Sequence, residues 1–139
     1  MTELKLTIPG EPKAQQRPRF TTRGGGPHAY DPAKSRNAKR TIAILAEAAM
    51  AGNAPLEGPL ELSVTVRRTP PVSWSKAKRQ AAIGKGITGK PDIDNYVKLV
   101  QDALNGIAYL DDKDITDLHA RKVWTDGQPG TEILVRRLA

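Results

Sequence analysis

The sequence predicts an α+β fold, a small mixed four-stranded β-sheet with helices packed on it in the order β-α-β-α-α-β-β. Three observations carry that reading. Two stretches, Leu4–Ile8 and Leu60–Val66, alternate apolar and polar residues with the period of a half-buried strand. Two others, Asp31–Gly52 and Asp92–Gly106, repeat apolar residues at helical spacing between a capping aspartate and a closing glycine. Neither an internal repeat nor a change of composition divides the 139 residues, so one domain spanning 1–139 is expected.

Each element follows in turn. Leu4, Leu6 and Ile8 alternate with Lys5 and Thr7 as a first strand, which Pro9, Gly10 and Pro12 end. From Glu11 to Tyr30 no apolar period is found; Arg17, Arg19 and Arg23 lie beside Gly24–Gly26 in what reads as a long basic loop with a mobile tip. In "DPAKSRNAKRTIAILAEAAMAG", Asp31 is placed to cap a helix, Pro32 suits its first turn and Gly52 lies past its end. Ile42, Leu45, Ala46 and Ala49 mark the buried face of that helix. "PLELSVTVRRT" is the second strand, and "PPVSWSKAKRQAAIG" gives a short basic helix starting near Ser75. After the flexible "GKGITGK", the segment "DIDNYVKLVQDALNG" forms a third helix, with Ile93, Val97, Val100 and Leu104 on one face. Strands near Ile115–Trp124 and Thr131–Arg137, joined by "DGQPG", complete the chain.

Composition narrows the function classes. Lys and Arg number 22 against 15 Asp and Glu, a net charge of +7, and the cations cluster in Lys13–Arg23, Lys34–Arg40, Arg67/Arg68 and Lys76–Lys90. Such an excess favours a polyanionic partner, nucleic acid first. With no cysteine, disulfides and thiolate metal sites are excluded. No apolar run approaches the ~18 residues that span a bilayer, and "MTELKLTIPG" has no signal-peptide hydrophobic block. The expectation is a cytoplasmic protein with no membrane association.

Against this basic background the chain gathers carboxylates in "KPDIDNYVK" and again in "YLDD". Asp92 and Asp94 straddle the start of the third helix, where carboxylates cap orphan N–H groups and complement the dipole. The same D-x-D pair suits a hard cation such as Mg²⁺, which takes one or two carboxylates, with water and phosphate completing its shell. Asp111 and Asp112 follow after the chain turns at Asn105-Gly106, beyond a helix of roughly four turns, so only tertiary folding can bring them to Asp92 and Asp94. Lys98 shares the face of Asp94, as does Asp102. Lys98 is either half of a surface ion pair worth a few tenths of a kcal/mol or a fixed cation beside a reacting phosphate. Spacing leaves both readings open.

Other chemistries fare poorly. His28 and His119 are the only histidines, no Ser-His-Asp order can be assembled, and Gly24–Gly26 lacks the G-K-[ST] of a phosphate-binding loop. Trp74, Tyr109 and Trp124 are either packing residues or platforms for bases. No base-reading motif indicates sequence-specific major-groove recognition.

The ordered series "PGEPKAQQRPRF", "KPDIDNYVKLVQDALNG" and "YLDD" resembles the RusA family of Holliday junction resolvases, with its phage and prophage branch closest in flavour. The likeness runs from Ile8 to about Ile115. It implies metal-binding catalytic carboxylates at Asp92, Asp94 and Asp112, an essential lysine at Lys98, and supporting roles for Asn95 and Asp111. Phosphate contacts are implied at Arg17 and Arg19; from the charge clusters, Lys13, Arg23, Lys76 and Lys90 join them as DNA-binding candidates. By the same resemblance the protein is a homodimer that nicks four-way DNA symmetrically with Mg²⁺, or Mn²⁺ in its place, in recombination and repair. Two other readings compete: a basic DNA-binding module without catalysis, and a metal nuclease for flaps or other branched nucleic acids.

Overall fold

The computed structural model describes residues 1–138 and has the α+β architecture that the sequence pattern predicts. Strands β1 (Glu3–Pro9), β4 (Leu60–Arg68), β5 (Ile115–Trp124) and β6 (Gly130–Arg137) form one sheet in the order β1-β6-β4-β5. Pairing is antiparallel for β1/β6 and β6/β4 and parallel for β4/β5, so the sheet is mixed. Between the strands run helices α1 (Ala33–Met50), α2 (Lys76–Ala82) and α3 (Ile93–Leu104).

The core forms where the inward residues of β1, β4 and β6 meet α1 and α3. Leu4, Leu60, Leu62, Val64, Val66, Ile133 and Val135 come from the sheet; Ile42, Ala46, Tyr96, Leu99 and Val100 come from the helices. On α1 the expected face holds in part: Ile42 and Ala46 are buried, Leu45 and Ala49 only half-buried, and Met50 is buried instead. On α3, Val97, Val100 and Leu104 face inward, while Ile93 in the first turn stays 38% exposed.

Two local readings need correction. Asp31 does not cap α1: Pro32 holds the cap position in extended geometry, with no side-chain bond to the helix. The Asp31 carboxylate instead accepts hydrogen bonds from Gln15 Nε2 at 2.9 Å and Lys39 Nζ at 3.0 Å. The segment read as a loop also contains a hairpin, β2 (Arg19–Thr21) with β3 (His28–Tyr30), apart from the main sheet. Its turn includes Gly24, Gly25 and Gly26, all at positive φ, where side chains are strained. The hairpin is almost wholly exposed, so no apolar alternation marks it in the sequence.

Gly130 is a point of close approach. It pairs with Pro9 across β1/β6, and a Cβ there would meet the Ile8 carbonyl oxygen at 2.8 Å. Backbone cannot yield as a flexible side chain does. Gly130→Ala should therefore cost about 1–3 kcal/mol, as overpacking does, and calorimetry should find Tm lower by roughly 3–10 °C. An unchanged Tm would show that β1 and β6 have room for a methyl group.

Candidate active site

The polar face of α3 follows from its apolar one. With Tyr96, Val97, Leu99, Val100, Ala103 and Leu104 buried, Asp94, Lys98 and Asp102 are left along the outer side at intervals of four. Asp92 occupies the N-cap position in extended backbone, yet its side chain makes no cap hydrogen bond. The capping explanation for that carboxylate is therefore not realised. Asp92, Asp94 and Lys98 are all exposed, and none forms an ion pair among the described residues. The surface pair Asp94–Lys98 is not made either.

The start of α3 is held from the sheet. Lys122 on β5 sends its ammonium to the carbonyl oxygens of Gly89 at 2.6 Å and Pro91 at 2.9 Å, immediately before Asp92. From the other side comes the segment between β1 and β2. The Gln15 N–H donates to the Asn95 carbonyl at 2.9 Å, and the Gln16 N–H donates to the buried Ser35 hydroxyl on α1 at 2.9 Å. These two bonds lay the basic strap across the N-terminal ends of both helices. Asn95 thus supports the region through its backbone carbonyl. Lys13, Arg17, Arg19 and Arg23 are exposed along the strap and hairpin; Lys90 and Lys76 are exposed before α3 and at the start of α2.

Lys39 on α1 ties the strap to the far half of α3, reaching Asp31 at 3.0 Å and Asp102 at 3.5 Å. Lys98 lines an open cleft of about 300 Å³ with Gln15, Tyr30, Asp31, Lys39 and Asp102.

Beyond α3, Tyr109 anchors the turn that carries the second carboxylate pair. Its ring is fully buried, its hydroxyl donates to the Gln101 carbonyl at 3.0 Å, and its own carbonyl accepts from the Gly106 N–H at 2.7 Å. Burial pushes the Tyr109 phenol well above its ordinary pKa. Tyr109 is a core residue, and Trp74 and Trp124 pack edge to face on each other at 5.3 Å, with Lys78 and Arg68 over their rings.

Next come Asp111 and the 3₁₀ turn Asp112–Asp114. The Lys113 N–H donates to Asp111 and, with a hydrogen bond from Asp112, holds its carboxyl below the ordinary value. Asp112 shifts upward: it shares that hydrogen bond with Asp111, loses some hydration, and feels the charges of Asp111 and Asp102. Asp112 thus has its electrostatic neighbours at the C-terminal half of α3. Asp92 and Asp94 lie at the other end, since the eight residues from Asp94 to Asp102 span about 12 Å of helix.

Among the described residues, no three Asp, Glu, His or Cys side chains converge as ligands of one ion. The donors nevertheless suit a hard cation: Asp92 and Asp94 present oxygen ligands without protein partners, and Mg²⁺ is ordinarily held by one or two carboxylates.

A family profile for "Endodeoxyribonuclease RusA" matches residues 9–136, nearly the whole chain. The protein belongs to the RusA endodeoxyribonuclease family. It is also 41% identical over 141 residues to the uncharacterized protein YqaN of Bacillus subtilis (strain 168), covering 98% of this chain and 97% of that one. This RusA-family chain contains no helix long and apolar enough to cross a membrane among its described residues. Gln15, Ser35, Lys39 and Lys122, which organise the region, carry no sequence signal, because each acts on a residue far from it in the chain.

The Lys122 bonds to two carbonyls are of the charge-assisted kind, worth about 1.5–3 kcal/mol each when well shielded and less at this half-exposed site. Lys122→Met should accelerate amide exchange in residues 89–95 by roughly tenfold or more, with α1 unaffected. Equal protection in the two proteins would show that Lys122 does not fix the start of α3.

Proposed function

We propose that this RusA-family protein resolves four-way DNA junctions by paired symmetric nicks, as a Mg²⁺-dependent homodimer acting in the cytoplasm. The whole chain, 1–139, would serve as one nuclease domain. The observation that carries the reading is the pair Asp92 and Asp94: two exposed carboxylates at a helix start, without protein partners among the described residues, beside a strap of exposed cations.

A divalent ion held at such a site would supply polarisation of the scissile phosphate and a more acidic water. Asp92 and Asp94 would hold the ion. Asp112, which one chain holds by the far half of α3 with Asp111 beside it, would be the third acidic group only where junction binding brings it to the pair. Lys98, one turn beyond Asp94, would place its ammonium against charge developing on the phosphoryl group or the departing oxygen. Lys13, Arg17, Arg19, Arg23, Lys76 and Lys90 would contact phosphates, giving salt-sensitive and largely shape-directed binding.

The test is cleavage of a synthetic four-way junction beside flap, Y-form and linear duplexes, with and without Mg²⁺. Asp92→Asn, Asp94→Asn and Asp112→Asn should keep junction binding in Ca²⁺ and lower the cleavage rate by at least ~10³-fold. Lys98→Met should lower it by on the order of 10²–10³-fold. Wild-type rates in all three aspartate variants would remove the catalytic assignment. Binding without nicks at any Mg²⁺ or Mn²⁺ concentration would leave a DNA-binding module, and preference for flaps would change the substrate.

A further inference from the structure

The sheet ends in two edge strands, β1 and β5, and β5 is the one whose middle is exposed on both faces. Strand β5 pairs only with β4 along most of its length, and Thr116 through Arg121 are exposed on both faces. The outer side of its C-terminal end is occupied. Ile87 N–H donates to the Lys122 carbonyl at 3.0 Å, Trp124 N–H to the Lys85 carbonyl at 3.0 Å, and Gly84 N–H to the Trp124 carbonyl at 2.9 Å. Even-numbered residues of β5 therefore turn their backbone groups outward. The Thr125 N–H, one residue on, turns inward to the Arg68 carbonyl at 2.8 Å. By this alternation the N–H and C=O groups of Leu118 and Ala120 point away from β4. Leu118 is also 49% exposed, an apolar side chain on an uncovered edge.

An open edge is a template for another strand, and β5 is complementary to itself. In an antiparallel pairing of two copies about a twofold axis at His119, Leu118 of each faces Ala120 of the other at hydrogen-bonded positions. Asp117 then faces Arg121 at the non-hydrogen-bonded positions, where Cα atoms approach to about 4.5 Å. Opposite charges directly across a pair stabilise it. Both residues are exposed; one Asp117 oxygen accepts from the Thr116 hydroxyl at 2.8 Å. Shifting the axis to Leu118 sets Arg121 against Ile115 and loses this match.

From this we infer that β5 is the dimerisation edge, where a second copy of this chain adds its own β5 antiparallel about His119 to make one continuous eight-stranded sheet. The inference rests on the homodimer of the proposed function and names its surface. Its geometry has a consequence: a twofold axis between antiparallel neighbours stands perpendicular to the sheet. Both α3 helices then lie on the same face, so both Asp92/Asp94 pairs address one side of the dimer.

Sedimentation equilibrium of the full chain without DNA tests this. The wild type is expected to be a dimer at micromolar concentration. Ala120→Pro, which removes an outward N–H and no ladder bond, is expected to be monomeric with unchanged far-ultraviolet circular dichroism. Asp117→Arg and Arg121→Asp should each weaken dimerisation about tenfold or more, and the double reversal should restore it. A monomeric wild type, a folded and dimeric Ala120→Pro, or a double variant as weak as the singles would overturn the proposal. Should Ala120→Pro not fold, the charge-reversal cycle decides alone. Junction cleavage measured beside it separates the two claims: activity in a protein that dimerises elsewhere leaves the nuclease reading standing and removes only this interface.

Discussion

The burial of one face of α3 is the constraint on which the rest depends. Val97, Leu99, Val100 and Leu104 each contribute about 1.5–3 kcal/mol on leaving water, and Tyr96 and Ala103 complete the contact with the sheet and α1. A helix so committed has no rotational freedom left. Its remaining side must carry Asp94, Lys98 and Asp102, and that side faces the strap because Gln15 bonds the Asn95 carbonyl. The relation between acidic helix face and basic strap is thus fixed by hydrophobic packing, with electrostatics acting within it.

Within that frame the charges are arranged unevenly. At the far half of α3, Lys39 is shared by Asp31 and Asp102, and Asp111 and Asp112 share a hydrogen bond. Asp31 and Asp102 there have a cation to offset them and Asp111 a backbone N–H, while Asp112 is set against the like charges of Asp111 and Asp102. At the near end, Asp92 and Asp94 have no such partner among the described residues, and Lys122, whose ammonium reaches that loop, gives its hydrogen bonds to the carbonyls of Gly89 and Pro91. The two ends of one helix therefore differ in what they leave unsatisfied.

Much of the architecture was legible because α1, α3, β1 and β4 each bury one face, and burial on one face is what periodicity records. Strand β5 is marked in the sequence by the turn "DGQPG" that follows it, yet its middle is exposed on both faces, so its pairing partner and its parallel sense are not readable there. The β2–β3 hairpin was missed for a related reason: it buries too little to leave a pattern, and its glycines read equally well as a loop. Asp31 looked like a cap because position is visible in sequence and direction is not. In the site, the D-x-D and the lysine one turn later were visible as local spacing. The bonds around them, made by Gln15, Ser35, Lys39 and Lys122, join residues 8 to 80 positions apart that only folding brings together, and no local pattern encodes that.

The same physics bears on why carboxylates stand where a basic protein would meet DNA. A helix N-terminus stabilises one nearby anion by about 0.3–1 kcal/mol, and Asp92 and Asp94 both draw on it while making no cap bond that would justify either. Two uncompensated negative charges beside exposed Lys13, Arg17 and Lys90 weaken the attraction that those cations exert on a phosphate. Structural economy would remove them. On the proposed reading the conflict disappears, because a divalent ion held by the pair would reverse the local sign and turn a repulsive point beside those cations into one that attracts a phosphate.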